Sequence, residues 1–132
     1  MKLPAGKYFI GDPCYVLQSK DNSDERWSKF CDLIYEDEDG NTNEVTEFEG
    51  VPMYTGNTKY GDGYYLDNYG NGYGVDAGLI GAVPMELCKQ SKKEMDRLGR
   101  VVVFKKDFRA RSQDGIFYFG DIVIDTAGDD EE

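Results

Sequence analysis

Histidine is absent from this 132-residue chain, and that absence removes several chemistries at once. No Ser–His or Cys–His nucleophile pair can form, no imidazole can serve as general base, and no metal can be held by His. An enzyme built on this chain has to work with Asp, Glu, Lys, Tyr or Cys. Cysteine is scarce as well. Cys14, Cys31 and Cys88 are odd in number and form no Cys-x-x-Cys pair, which argues against a disulfide framework or a structural zinc site. Free, buried thiols in a reducing cytosol are expected. No apolar run approaches the ~20 residues that a membrane span requires. The opening Met1-Lys2-Leu3-Pro4-Ala5-Gly6 also lacks the apolar stretch of a secretory signal. Walker and dinucleotide fingerprints are missing too. Gly70 to Gly74 supplies only Gly-x-Gly-x-Gly, too little for a phosphate loop without a following helix.

Aromatic residues are plentiful: ten Tyr, seven Phe and one Trp. They supply area for a core, and a chain of this length can bury one modest core. A single domain over 1–126 is expected, followed by a frayed acidic tail at 127–132.

The formal net charge of −11 is unevenly distributed. Residues 89–111 hold nine Lys and Arg against Glu94, Asp96 and Asp107, a surplus of +6. From Asp32 to Glu49 the acids Asp32, Glu36, Asp37, Glu38, Asp39, Glu44, Glu47 and Glu49 meet no cation. Such runs are commonly solvated surface. Set on one face, they also steer a molecule toward a basic partner.

Periodicity sketches the elements. Tyr8-Phe9-Ile10 reads as a strand stopped by Gly11-Asp12-Pro13, since proline disfavours helix in the residue before it. Trp27, Phe30, Cys31 and Ile34 fall on one helical face and predict a helix over 23–35, with Asn22 and Glu25 as a capping box. Val45 to Phe48 reads as a short hairpin strand. Asn71-Gly72 signals a hairpin turn between Tyr64-Tyr65-Leu66 and Tyr73-Gly74-Val75. Leu79 to Val83 is a buried strand. Pro84 and Gly99 bracket a second helix with Met85, Cys88, Met95 and Leu98 as its stripe. Val101 to Phe104 is a strand, and Ile116 to Ile124 reads as one central strand, joined to it by a loop ending in Asp114-Gly115. The expected fold is α+β and mostly β. One curved antiparallel sheet, barrel- or sandwich-like, carries one or two short covering helices.

Three places carry candidate chemistry. In Gly11-Asp12-Pro13-Cys14-Tyr15 an acid stands beside a thiol, but no cation or helix N-terminus is at hand to activate it. A turn is the stronger reading. Asp12, Asp76, Asp121 and Asp125 sit in strands or at their glycine-bearing ends, where converging carboxylates could hold Mg²⁺. The alternation Phe117, Phe119, Asp121, Val123 puts Asp121 on an apolar face, where its carboxyl needs a partner or a raised pKa. Tyr64, Tyr65, Tyr69 and Tyr73 lie among glycines and suit an adaptable contact surface or ring stacking. Period two sends about half of them inward.

The strings Gly11-Asp12-Pro13-Cys14-Tyr15-Val16, Tyr73-Gly74-Val75-Asp76-Ala77-Gly78 and Phe119-Gly120-Asp121-Ile122-Val123-Ile124-Asp125 together resemble a family of small uncharacterised phage and bacterial proteins. The resemblance runs over most of the chain. It carries no activity and no catalytic residues, and it implies a phage accessory protein at work in a host cytoplasm.

Three functions follow as expectations. The first is a non-catalytic binding protein, a phage accessory or anti-defence protein, that engages a basic surface of a host protein. Its acidic face is Glu36, Asp37, Glu38, Asp39, Glu44, Glu47 and Glu49. The second is a nucleotide-like ligand held by Tyr64, Tyr65, Tyr69 and Tyr73 with a basic group from 89–111. The third is a metal-dependent enzyme centred on Asp12, Asp76 and Asp121. A binding role is favoured over an enzymatic one, so no catalytic residue and no cofactor are assigned. The negative charge disfavours nucleic acid, and nothing in the residues decides homo-oligomerisation.

Overall fold

The computed structural model describes residues 1–17, 25–34, 44–59, 61–88 and 92–126. Its strands are β1 (Lys2–Leu3), β2 (Gly6–Gly11), β3 (Val45–Phe48), β4 (Val51–Asn57), β5 (Gly63–Leu66), β6 (Gly72–Val75), β7 (Leu79–Pro84), β8 (Arg100–Phe104), β9 (Phe108–Gln113), β10 (Ile116–Phe119) and β11 (Ile122–Asp125). The helices α1 (Glu25–Ile34) and α2 (Lys92–Leu98) join two short 3₁₀ turns, Pro13–Tyr15 and Met85–Leu87. The fold is α+β, mostly β and antiparallel, and its sheets do not close into a barrel. Of the two expected shapes, the sandwich is the one observed.

A five-stranded sheet runs β3-β4-β7-β2-β8 and a four-stranded sheet runs β1-β9-β10-β11, with β5-β6 as a separate hairpin. Alternation along the strands of the five-stranded sheet sorts two cores. Tyr8, Ile10, Tyr54, Ile80 and Ala82 face one cluster, shared with Leu3, Phe108, Phe117, Phe119, Ile122 and Ile124 of the four-stranded sheet. Phe9, Met53, Leu79 and Val83 face the other, shared with Phe30 and Ile34 of α1 and Met95 of α2. The layers are therefore sheet, sheet and helices. β7 is buried at every position, as its unbroken apolar run predicts for a central strand.

Helix α1 follows its predicted face. Phe30 and Ile34 are buried, and Trp27 stacks on Phe30 at 5.3 Å. The proposed cap at Asn22 lies outside the described residues, as do 23, 24, 35 and the tail at 127–132.

Four expectations are corrected. Pro84 closes β7 and leads only into the 3₁₀ turn Met85–Leu87, so no single helix runs from it to Gly99; the described α2 is Lys92–Leu98. The segment 116–124 is two strands. Phe119 pairs with Ile122, so Gly120-Asp121 is a two-residue turn, and β11 is an edge strand of its sheet. The loop before Asp114-Gly115 contains β9, whose Phe108 and Ala110 alternate inward between exposed Arg109 and Arg111. Asn71-Gly72 is not the hairpin turn either. Leu66 pairs with Gly72, and the five residues 67–71 make the connection.

Positive φ at both residues of a two-residue loop defines the type I′ turn that suits a twisted hairpin. Asp114 (φ 53°) and Gly115 (φ 83°) make one such turn, and Glu49 (φ 53°) and Gly50 (φ 79°) make another.

Candidate functional site

The three resembling strings do not meet at one point, but two of them do. Asp12 Oδ1 accepts the Cys14 N–H at 2.9 Å, which caps the 3₁₀ turn. Its Oδ2 accepts the Asp76 N–H at 3.0 Å and the Ala77 N–H at 2.7 Å. Asp12 is fully buried. Burial pushes its carboxyl above the usual range, against the pull of these N–H donors. The group is a brace between the end of β2 and the turn after β6. It is spent on backbone donors and is not aimed at a substrate.

Cys14 is unsuited to attack. Burial first, and Asp12 next, push its thiol far above the ordinary value. A thiolate is what nucleophilic chemistry needs. Burial first, and the nearby Asp76 carboxylate next, raise the hydroxyl pKa of Tyr15 as well.

Asp121 is elsewhere. It stands exposed in the β10–β11 turn, where Tyr69 donates its hydroxyl to Oδ2 at 2.9 Å. The expected apolar setting fails because the chain reverses at Gly120, whose φ of 62° permits the turn. Among the described residues no three acids or thiols converge to hold a metal ion. The set Asp12, Asp76 and Asp121 is thus not assembled as a centre.

The buried carboxylate that residue patterns missed is Asp67. It accepts the Tyr69 and Asn71 N–H groups on Oδ1 at 2.8 and 2.9 Å, and the Tyr73 hydroxyl on Oδ2 at 2.7 Å. Arg100 stands 3.6 Å from the same Oδ2. Desolvation alone would raise its pKa, but the donors prevail and hold it below the usual carboxylate range. The available signal was Asp67 opening a turn two residues before Tyr69, the spacing of an Asx turn.

The four tyrosines separate. Tyr73 is buried, and Tyr65 packs half-buried against the same core. Tyr64 (72% exposed) and Tyr69 (58% exposed) face solvent, with Leu66 beside them at 55%. Tyr69 shares a groove with a basic group: Tyr69, Asn71, Arg100, Val102, Asp121 and Ile122 line an open depression of about 430 Å³. A phosphate there would compete with Asp67 for Arg100 beside the carboxylate of Asp121. The groove is a poor fit to the expected nucleotide-like ligand.

Of the acidic face, Glu36, Asp37, Glu38 and Asp39 lie outside the described residues. Glu49 is committed to Arg26, whose guanidinium reaches Oε1 at 2.8 Å and lies over the Phe48 ring. Glu44 accepts the Tyr54 hydroxyl, which also bonds the Ser112 hydroxyl at 2.7 Å. Glu47 is exposed on β3.

The described acids Glu44, Glu47 and Glu49 and the cations around β8 fall on opposite edges of one sheet, whereas Arg109 and Arg111 of the basic window lie on β9 of the other sheet. β3, with Glu44, Glu47 and Glu49 on it or next to it, is one edge of the five-stranded sheet. β8 is the other, flanked by exposed Arg97, Lys105 and Lys106 and carrying Arg100. Four strand spacings put the edges about 19 Å apart, beyond the Debye length of about 8–10 Å. Each edge therefore presents its own field.

Comparison with protein-family models, curated proteins and solved structures returns no match for this chain.

Proposed function

We propose that this chain is a non-catalytic binding protein that engages a basic surface of a partner protein through its acidic edge, around β3 and the preceding acids. The observation that carries the reading is the segregation of charge to opposite edges of one sheet. A surface of one sign speeds encounter with a partner of the other and rejects like-charged competitors. Two further facts favour binding over catalysis. The buried carboxylates Asp12 and Asp67 are spent on internal donors, and the thiol of Cys14 is held protonated by its surroundings. On the resemblance drawn above, the partner is a host protein and the compartment the host cytoplasm, as suits a phage accessory or anti-defence role.

The test is retention of host proteins on the immobilised chain against a charge-reversed variant. Glu36→Lys, Asp37→Lys, Glu38→Lys, Asp39→Lys and Glu47→Lys are combined, and Glu44 and Glu49 are spared because they make internal bonds. A protein that the wild type retains and releases with rising salt should be lost on the variant. Equal retention by both would overturn the reading.

A further inference from the structure

The basic edge of the sheet is built differently from the acidic one. β8 places Val101, Val102 and Val103 in succession and pairs with β2 in unbroken register from Phe104 opposite Gly6 to Arg100 opposite Ile10. The Val101 N–H points away from β2, since it donates to Asp96 Oδ1 at 3.3 Å. Residues of an antiparallel ladder turn their backbone groups to alternate sides. Val103 therefore presents its N–H and C=O outward, and no described strand lies beyond β8 to take them. The Val103 side chain is 60% exposed. On the opposite face of the strand, Arg100 and Val102 form one wall of the 430 Å³ groove.

We propose that the outer edge of β8 receives an extended, acidic strand from a partner protein. Main-chain hydrogen bonds to Val103 would give the pairing. Alternate side chains would enter the groove between Val102, Ile122 and Tyr69, in the manner of strand addition to an open sheet edge. Charge selects the occupant. Arg97, Lys105 and Lys106 are exposed on the segments flanking the edge, against Asp96 and Asp107, so the acidic side chains of an added strand are drawn to these cations. Arg100 is already within 3.6 Å of Asp67, and Asp121 lines the groove, so it is the strand's apolar side chains that enter it. A second copy of β8 would bring these cations against their own images. β3 of a second copy has the complementary charge, but its register to β4 shifts between Val45 and Glu47, and a bulge of this kind blunts an edge against pairing. This surface is separate from the acidic edge, so either proposal can fail alone.

Seven-residue peptides alternating Glu or Asp with Val, Ile or Tyr provide the probe. They are compared with Lys-substituted versions and with versions N-methylated at alternate residues. Titration is followed by amide NMR and hydrogen exchange on the full chain. At least one acidic peptide should bind saturably and slow exchange of the Val103 amide tenfold or more, and the Lys and N-methylated versions should not. Val103→Pro removes the outward N–H and should abolish binding. Lys105→Glu with Lys106→Glu, both at exposed positions, should weaken it about tenfold and guards against misfolding of the proline variant. Three results would overturn the proposal: no acidic peptide binds, binding leaves Val103 exchange unchanged, or ATP alone fills the groove. A free chain that is already dimeric with Val103 protected would also overturn it, in favour of a second copy.

Discussion

The hydroxyl of Tyr73 and the carboxylate of Asp67 form a buried pair at 2.7 Å, which ties the inner face of the β5–β6 hairpin to its own connecting loop. Asp67 also holds the Tyr69 and Asn71 amides, and the backbone of Asp67 bridges to Ile124 on β11. One side chain thus sets the loop, the hairpin and their seat on the sheet edge. Asp67→Ala leaves several donors unsatisfied, one of them a buried phenol, and should cost about 3 kcal/mol at roughly 1–3 kcal/mol for each orphaned buried group. Urea unfolding measures it. A loss below about 1 kcal/mol would show that water replaces the carboxylate, which the burial of Asp67 argues against.

The same group predicts a pH dependence. Its donors hold the folded pKa of Asp67 below the ordinary value, while the unfolded chain titrates near ~3.9. The folded state then binds fewer protons than the unfolded one through that interval. The stability contributed by Asp67 is complete above the unfolded pKa and is lost as pH falls through the folded pKa. Asp12 has the opposite sign, because burial raises its folded pKa. Its contribution declines as pH rises through that value. Comparing wild type with Asp67→Asn at fixed urea isolates the first effect: the gap between them should narrow as pH drops below about 4.

Two glycines in crowded surroundings should behave differently, and the more crowded one should be the more tolerant. A Cβ on Gly81 would meet the Tyr54 carbonyl oxygen at 2.4 Å and Thr55 Cγ2 at 2.5 Å, inside a buried strand. The backbone cannot yield, and Gly81→Ala should cost about 3 kcal/mol, at the upper end for overpacking. A Cβ on Gly72 would meet the Tyr64 hydroxyl at 1.7 Å, but Tyr64 is exposed and free to swing aside. Gly72→Ala should stay within about 0.5 kcal/mol of wild type. Thermal unfolding of the two variants checks the contrast.

What residue patterns reveal here depends on how local the cause is. The helix face through Phe30 and Ile34, the buried β7 and the inward turn of about half of the four tyrosines follow from periodicity and are found as expected. The Gly120-Asp121 reversal was hidden because apolar residues continue on both sides of it. Only the pairing of Phe119 with Ile122 reveals two strands. β9 was hidden because its core face is carried by just Phe108 and Ala110 amid charges. The brace at Asp12 joins residues 64 and 65 positions apart, and spacing carries no trace of that contact. The opposition of acid and base was visible as two segments. That β3 and β8 are opposite edges of one sheet required the strand order.

Arg26 and Glu49 give the last test, because they join α1 to the β3–β4 turn. The Arg26 side chain is only 9% exposed and that of Glu49 is 45% exposed, so the pair is neither fully buried nor freely solvated. Its nitrogens Nε and Nη2 reach the carboxylate at 2.8 to 3.1 Å, a two-pronged geometry stronger than a single contact. Removing the acid takes away the two-pronged carboxylate contact of a cation that lies over the Phe48 ring. Removing both charges leaves apolar surface that can pack on that ring. Glu49→Ala should therefore cost about 1–2 kcal/mol, less than the 3–5 kcal/mol of a fully buried pair because solvent reaches the carboxylate. Adding Arg26→Leu should return part of that loss. A double-mutant cycle by urea unfolding reads the coupling, and strictly additive losses would mean that the pair holds α1 no more tightly than its apolar face does.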